Sequence, residues 1–415
     1  MLDLKFIREN TEVVRQAMEQ RQDSAPLDEI LNLDQERRQK ILELEDLRHT
    51  RKAASKEKKH DRENADAARK LRDDIRDLEE AVRKLDSQLE ELLLQIPNIP
   101  NPSVPIGKDE NDNVIVRTWG EPASFTFKPA PHWELGESLG IIDFERGVKL
   151  SGSRFYVLKG PGARLQRALI AFMIDLHTTK HGYQEIYPPY MVKRECMVGS
   201  SNLPKFADNL YHDEEDDLWF VPTAEVPLTN LHREEIIPTE ALPIRYVAYT
   251  ACFRREKMSS GKDTRGIKRG HQFDKVEMYK FTEPATSDDE LEKLTNDAED
   301  ICQKLGLPYR VLQLCTAELG FASTKSFDIE VWAPGCEEWL EVSSCSNCGD
   351  FQARRANIRY RPSPESKLQF VHTLNGSGLA LPRILIAIME HYQQEDGSIK
   401  VPEVLQPFVG EKIIR

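Results

Sequence analysis

Thr250-Ala251-Cys252-Phe253-Arg254-Arg255-Glu256 and, twelve residues on, Arg269-Gly270-His271-Gln272-Phe273-Asp274-Lys275-Val276-Glu277 are the two segments whose reading decides the fold. Each has the β-branched and aromatic content of a strand, and the residues between them are rich in Gly and Lys. A strand, a loop and a returning strand place Arg254, Glu256, Phe273 and Glu277 on one surface. An arginine fork can grip a phosphate through two parallel hydrogen bonds. A glutamate can accept from an adenine amino group, and a phenylalanine can stack on a purine. Such a set would hold a nucleotide without a glycine cradle. The other reading is an ordinary hairpin with surface ion pairs, and these residues alone leave both open.

Outward from this hairpin the chain alternates helices with β-rich runs. Helical spacing predicts 163–180, with Leu165, Leu169, Phe172 and Leu176 on one face. It predicts a second helix from Ser287, where Ser287 and Glu290 have capping-box spacing and Gly306 can end it. Strands are expected over Arg245–Arg255, His271–Thr282, Ser326–Trp332 and Trp339–Ser344. The connections are too irregular for repeated βαβ units, so the class is α+β on an antiparallel sheet.

Residues 1–100 have a different period. Leu71, Ile75, Leu78, Val82, Leu85, Leu89 and Leu92 hold a heptad seam, and Ile30, Leu33, Ile41, Leu44 and Leu47 give a weaker one. These predict an antiparallel two-helix coiled coil over about 27–96, with its turn in the polar stretch near 60–65. Pro97, Pro100, Pro102 and Pro105, with their Asn and Gly neighbours, then read as a linker into a second domain, 101–415. From Arg48 to Arg72 there are ten Lys or Arg against four acids, in a chain of net charge −13. That local reversal of sign suits contact with a phosphate backbone, and a solvated coiled-coil surface is the plainer alternative.

No run approaches the roughly 18 apolar residues of a membrane span, and the charged N-terminus lacks signal character. A cytoplasmic location is expected, with no membrane partner. Seven scattered cysteines fit a reducing compartment. Cys345 and Cys348 form a single C-x-x-C without a second pair, so buried thiols are expected rather than zinc. Lys257–Lys262 imitates a class I synthetase lysine loop, but the histidine motif such a loop needs is missing from the sequence upstream of it. Gly160-Pro161-Gly162 and Gly376-Ser377-Gly378 lack the third glycine of a dinucleotide fingerprint.

The hairpin resembles motif 2 of the class II aminoacyl-tRNA synthetases. His181-Gly182-Tyr183-Gln184-Glu185-Ile186-Tyr187-Pro188-Pro189 resembles motif 1, and the stretch from Leu374 through Asn375, Gly376 and Ser377 to Arg383 resembles motif 3. The three stand in the family's order. Within the class the resemblance is to the seryl-tRNA synthetase family, through Thr223-Ala224-Glu225, Asp263-Thr264-Arg265-Gly266, the segment Glu341–Asp350 and the helical arm. It implies activation of L-serine with ATP to an adenylate and transfer to the 3′ end of tRNA(Ser), and of tRNA(Sec) where that exists.

The resemblance also implies roles. Arg254 would hold the α-phosphate, Arg383 the γ-phosphate, and Glu256 the adenine, on which Phe273 stacks. Arg255, Val342 and Ser343 complete the ATP set, and Glu341 and Ser344 would bind Mg²⁺, without zinc. Serine would be met by Thr223, Ala224, Glu225, Glu277, Asn375 and Ser377, with the tasks of Glu225 and Glu277 undivided. Lys56, Lys58, Lys59 and Arg62 would touch tRNA, and Pro189 would lie in a homodimer interface. Leu381-Pro382 departs from the expected pattern before Arg383, although proline suits a first helical turn. A class II-like ligase acting on a carrier protein and a non-catalytic RNA-binding paralogue are the alternatives. The basic arm weighs against the first, and the intact charged set against the second.

Overall fold

In a computed structural model the described residues are 1–54, 62–257 and 265–415, with only the backbone described for 62–65. The chain divides into two compact units, Met1–Pro97 and Asn98–Arg415.

The first unit has two short helices, α1 (Leu4–Glu9) and α2 (Thr11–Gln20), and two long ones, α3 (Leu27–Ala54) and α4 (Arg62–Leu93). The long pair packs together, and of the expected seams Ile30 and Leu44 on α3 and Ile75, Leu85 and Leu89 on α4 are buried. At the base of α4 the buried residue is Leu93 rather than Leu92. A helix of 3.6 residues per turn drifts away from a strict heptad, which accounts for the shift. Helix α4 is already formed at Arg62, so 62–65 are not the turn the sequence suggested. Arg48 pairs with Glu79 across the two helices at 2.7 Å, and Arg37 pairs with Asp86. Asp34, 1% exposed, holds Arg8 and Arg38 at 3.0 Å each.

The second unit is built on one eight-stranded sheet. Its strands are β1 (Val114–Trp119), β2 (Gln184–Glu185), β3 (Ile244–Phe253), β4 (Gln272–Thr282), β5 (Tyr309–Gln313), β6 (Lys325–Ala333), β7 (Glu338–Asn347) and β8 (His372–Ala380). The spatial order is β1-β5-β6-β7-β8-β4-β3-β2, antiparallel except for β2 beside β3. The residues read as a linker are fastened to this unit. Asn98 donates to the carbonyls of Ala322 and Cys348 at 2.8 Å, and Asn101 N–H donates to Thr324.

Around the sheet lie α5 (His132–Ser138), α6 (Pro161–Thr179), α7 (Glu225–Asn230), α8 (Ser287–Lys304), α9 (Phe351–Ala356) and α10 (Leu381–His391). Alternate residues of each strand face opposite ways. Val276 and Met278 of β4 therefore enter the main core with Leu165, Leu169 and Phe172 of α6, Leu291 and Leu294 of α8, and the apolar face of α10. Tyr279 and Phe281 point to the other face and pack on Ala224, Leu228 and Ala353, at α7 and α9. On this second face Phe273, Lys275 and Glu277 of β4 border a cavity.

The capping box expected at α8 does not form. Thr286 is the N-cap, reached through a 3-10 turn at Pro284–Thr286, and it makes no side-chain cap. The Ser287 hydroxyl donates to Pro284 O and accepts from Asn347 Nδ2. Glu290 turns inward to Lys280, at 2.9 Å, and to Lys293, at 2.7 Å. The Ser287 N–H that a capping box would use already donates to Pro284 O, which leaves the carboxylate to the buried ammonium. Pro382 falls in the first turn of α10, where its missing N–H costs nothing.

Candidate active site

Strand register assembles the site. Phe273, Lys275 and Glu277 lie two apart on β4 and so share a face. Glu277 pairs with Ser377 of β8, and Phe273 with Cys252 of β3, just before Arg254. Glu341 and Ser344 are three apart on β7, a spacing that a regular strand would send to opposite faces. The pairing of β6 with β7 shifts register between Ile329 and Glu330, with Ser343 opposite Ile329 and Glu341 opposite Glu330. That bulge absorbs the odd residue and lets both side chains reach the same cavity.

The cavity measures about 280 Å³ and is lined by Thr223, Glu225, Arg254, Glu256, Phe273, Glu277, Glu341, Ser344, Asn375, Ser377 and Arg383. Four further residues implied by the resemblance do not line it. Ala224 and Val342 are in apolar clusters. The Ser343 hydroxyl donates to the Ser377 carbonyl at 2.6 Å, and Arg255 donates to Leu210 O while its guanidinium lies over Tyr211. Lys56, Lys58 and Lys59 lie outside the described residues, as do Asp263, Thr264 and most of the lysine-loop look-alike. For Arg62 only the backbone is described.

At one end Arg254 donates to Pro222 O at 3.2 Å, and its guanidinium lies 5.0 Å from the centre of the Phe273 ring. Arg269 approaches Glu256 at 3.8 Å. At the other end Arg383 donates to the Glu341 carbonyl at 2.6 Å and pairs with its carboxylate at 3.2 Å. The cavity also holds two carboxylates, Glu225 and Glu277. Asn375 Nδ2 is 3.4 Å from Glu225 Oε2 and 3.3 Å from Glu277 Oε1. Lys275 pairs with Glu277 at 2.5 Å. Burial, then the neighbouring Glu277 charge, pushes the Glu225 carboxyl up to about 7.

Three residues of this region went unread in the sequence. Lys275 could have been found, because it lies two before Glu277. Asp328 faces Ser344 across β6–β7. Its Oδ1 is buried and makes no hydrogen bond, and burial with the nearby Glu341 holds its carboxyl well above the usual range. The alternation Ser326-Phe327-Asp328-Ile329-Glu330 carried that signal. Gln352, on α9, donates to Glu225 Oε1 at 2.6 Å, and nothing in its sequence neighbourhood marks it. Two carboxylates and a hydroxyl, with one oxygen unsatisfied, fit a hard divalent cation.

A second polar cluster lies behind the hairpin. His132 Nδ1 is 2.9 Å from Glu390 Oε1, and the Cys336 thiol donates to that oxygen at 3.0 Å. The backbone N–H groups of Gly335 and Cys336 donate to Glu390 Oε2. His132 Nε2 accepts from Ile267 N–H at 3.3 Å, at the foot of the β3–β4 loop. Gly266 precedes it with φ +78°, and a Cβ there would collide with the His132 ring. Cys345 and Cys348 are buried free thiols with separate partners, Ser343 and Asn375.

The tRNA synthetase class II core domain model (G, H, P, S and T) matches residues 205–392, and the seryl-tRNA synthetase N-terminal domain model matches residues 1–100. A serine–tRNA ligase of Dehalococcoides mccartyi is 64% identical over 415 residues, 100% of both chains. The crystal structure of seryl-tRNA synthetase from Pyrococcus horikoshii complexed with ATP is similar with a TM-score of 0.94 at 40% identity, covering 100% of this chain and 99% of that one. The cytoplasmic serine-tRNA ligase from Naegleria fowleri in complex with AMP gives 0.89 at 34% identity, with the same coverage.

Proposed function

The chain belongs to the seryl-tRNA synthetase family of class II aminoacyl-tRNA synthetases, and from that premise we propose how its cavity activates serine with ATP and charges tRNA. A serine carboxylate oxygen attacks the α-phosphorus. The new P–O bond forms as the bond to the bridging oxygen breaks, and pyrophosphate leaves. The terminal ribose hydroxyl of tRNA then attacks the seryl carbonyl carbon, and AMP leaves.

The observation that carries this reading is the pair Glu225 and Glu277, bridged by Asn375, beside an arginine already fixed on an aromatic ring. One carboxylate balances the substrate ammonium, and the other accepts from its hydroxyl. A site built around a hydroxyl leaves polar groups unpaired when alanine enters, which penalises alanine by about 10⁴-fold or more. Phe273 gives the adenine a stacking surface with Glu256 at its edge. Arg254 meets the α-phosphate with a fork that needs little reordering, and such pre-aimed charge is the main contribution to this class of reaction. Arg383 exchanges its pairing with Glu341 for the γ-phosphate. Glu341 and Ser344, with Asp328 beside them, would hold Mg²⁺, which supplies positive charge to the phosphates.

The arm carries the tRNA. Of the ten basic residues from Arg48 to Arg72, the six with described side chains are all exposed. Tyr187, 82% exposed, Pro189 and Met191 form an exposed stretch suited to cover by a second copy, as a homodimer requires. Among the described residues no helix is long and apolar enough to cross a membrane, and a cytoplasmic location accords with the substrates. Pyrophosphate exchange with each of the twenty amino acids tests the assignment. Serine alone is expected to drive it, and equal exchange with alanine or threonine would overturn the serine reading.

A further inference from the structure

We infer that Gln352 is a positioning residue for serine recognition: its side-chain amide holds Glu225 so that the second carboxylate oxygen, Oε2, is presented to the substrate. This rests on the reading of Glu225 as a serine ligand.

Gln352 is fully buried, and its amide uses all of its hydrogen-bonding capacity. Nε2 donates to Glu225 Oε1 at 2.6 Å and to the Ser200 carbonyl at 3.2 Å. Oε1 accepts from the hydroxyls of Tyr279, at 3.1 Å, and Thr373, at 2.7 Å. The orientation is fixed by chemistry. A carbonyl and a carboxylate can only accept, so the nitrogen must face them, whereas two hydroxyls can donate to the oxygen. Thr229 braces this arrangement, its hydroxyl 2.8 Å from Tyr279 OH and 2.7 Å from the Glu225 carbonyl. The elements converging here are α7, α9, β4 and β8, and the segment at Ser200.

The consequence for Glu225 is geometric and electrostatic. One oxygen is occupied from behind, so Oε2 is the one left toward Asn375 and the cavity. The charged and titratable groups facing this carboxylate are Glu277 and Lys275 of β4, Tyr279 below them on the same strand, and Arg254 at the end of β3. Burial and Glu277 favour the protonated form. Gln352 opposes them first, then Lys275 and Arg254. A protonated Glu225 neither balances an ammonium nor accepts as strongly from a hydroxyl. Gln352 thus keeps the serine-binding form populated near neutral pH.

Full-length Gln352→Met removes the donor at similar volume, and Gln352→Glu keeps the shape while replacing the donor with an acceptor. Each is compared with the parent by pyrophosphate exchange between about pH 6 and 9, alongside a melting curve. A charge-assisted bond this short predicts a serine KM raised at least about tenfold in either variant, with the ATP KM within about twofold. In Gln352→Met the acid limb of kcat/KM for serine moves to higher pH, a readout that general loosening of the site would not give. If Gln352→Met does not fold, Gln352→Glu carries the test through its serine-to-ATP split. An unchanged serine KM and pH profile in a folded variant overturns the inference, as do serine and ATP KM values that rise together. Glu225→Gln, run in parallel, separates the two layers. If it loses serine binding while Gln352→Met does not, Glu225 stands as a ligand and Gln352 is only packing. If it leaves the serine KM untouched, the reading of Glu225 fails and the inference falls with it.

Discussion

Arg254 is held before any substrate arrives, by the Pro222 carbonyl on one side and the Phe273 ring beneath. Its entropy of ordering is spent in folding rather than at the moment of reaction. Arg254→Ala is therefore expected to lower exchange by about a hundredfold or more while the melting temperature stays close to that of the parent. Arg254→Lys should recover little, because a point charge cannot reproduce the fork. Near-parental exchange by a folded Arg254→Ala would remove this side chain from the mechanism. Glu225 sets function against stability. Its carboxyl is raised from the usual range to about 7, so its contribution to folding is fully present at low pH and is lost as pH rises through about 7. Glu225→Gln should accordingly raise the melting temperature at about pH 8, abolish serine-dependent exchange, and change little in stability at about pH 5. A lower melting temperature at pH 8 would contradict the strain assigned to this carboxylate.

Strands and helices decide which of these residues meet. Period-2 reasoning found β3, β4, β6 and β7 and the face that Phe273 and Glu277 share on β4. It could not place Glu341 with Ser344, because a bulge changes parity without a sequence mark. Strand β8 was missed as a strand although its motif was read, since Asn375-Gly376-Ser377-Gly378 has little β propensity and pairs because its neighbours already stand in place. At α8 the local capping rule lost to a tertiary ion pair. Lys280 is 1% and Glu290 3% exposed. Lys280→Met, which leaves Glu290 facing Lys293 and Arg245 at the core edge, is expected to cost about 3 kcal/mol in urea unfolding. Its cationic neighbours outweigh burial and depress the Glu290 carboxyl from its usual range to about 2. The stability it contributes is present above about pH 4.5 and is lost as pH falls toward 2. Glu290→Gln should flatten that acid limb, and an unaltered limb would assign it to other groups.

The whole molecule joins a helical arm to a catalytic body, and the change of hydrophobic period near residue 97 made that division legible. Less legible was that the proline-rich residues after it are pinned to the body by Asn98 and Asn101, whose partners lie more than 200 positions away. A fragment beginning at Asn98 keeps those contacts. It is expected to melt cooperatively and to retain serine-dependent pyrophosphate exchange, while transfer to tRNA is lost. Efficient charging by that fragment would show the arm to be dispensable. In the full chain, tRNA affinity should fall steeply with salt, as contacts to phosphates require. Helix α10 opens at its third residue with Arg383 in the cavity and reaches Glu390, which holds His132 and through it Ile267, seven residues or about 10 Å later. Motif 3 and the foot of the motif 2 loop thus share one anchor, the buried carboxylate of Glu390, and a change at that carboxylate is felt at both.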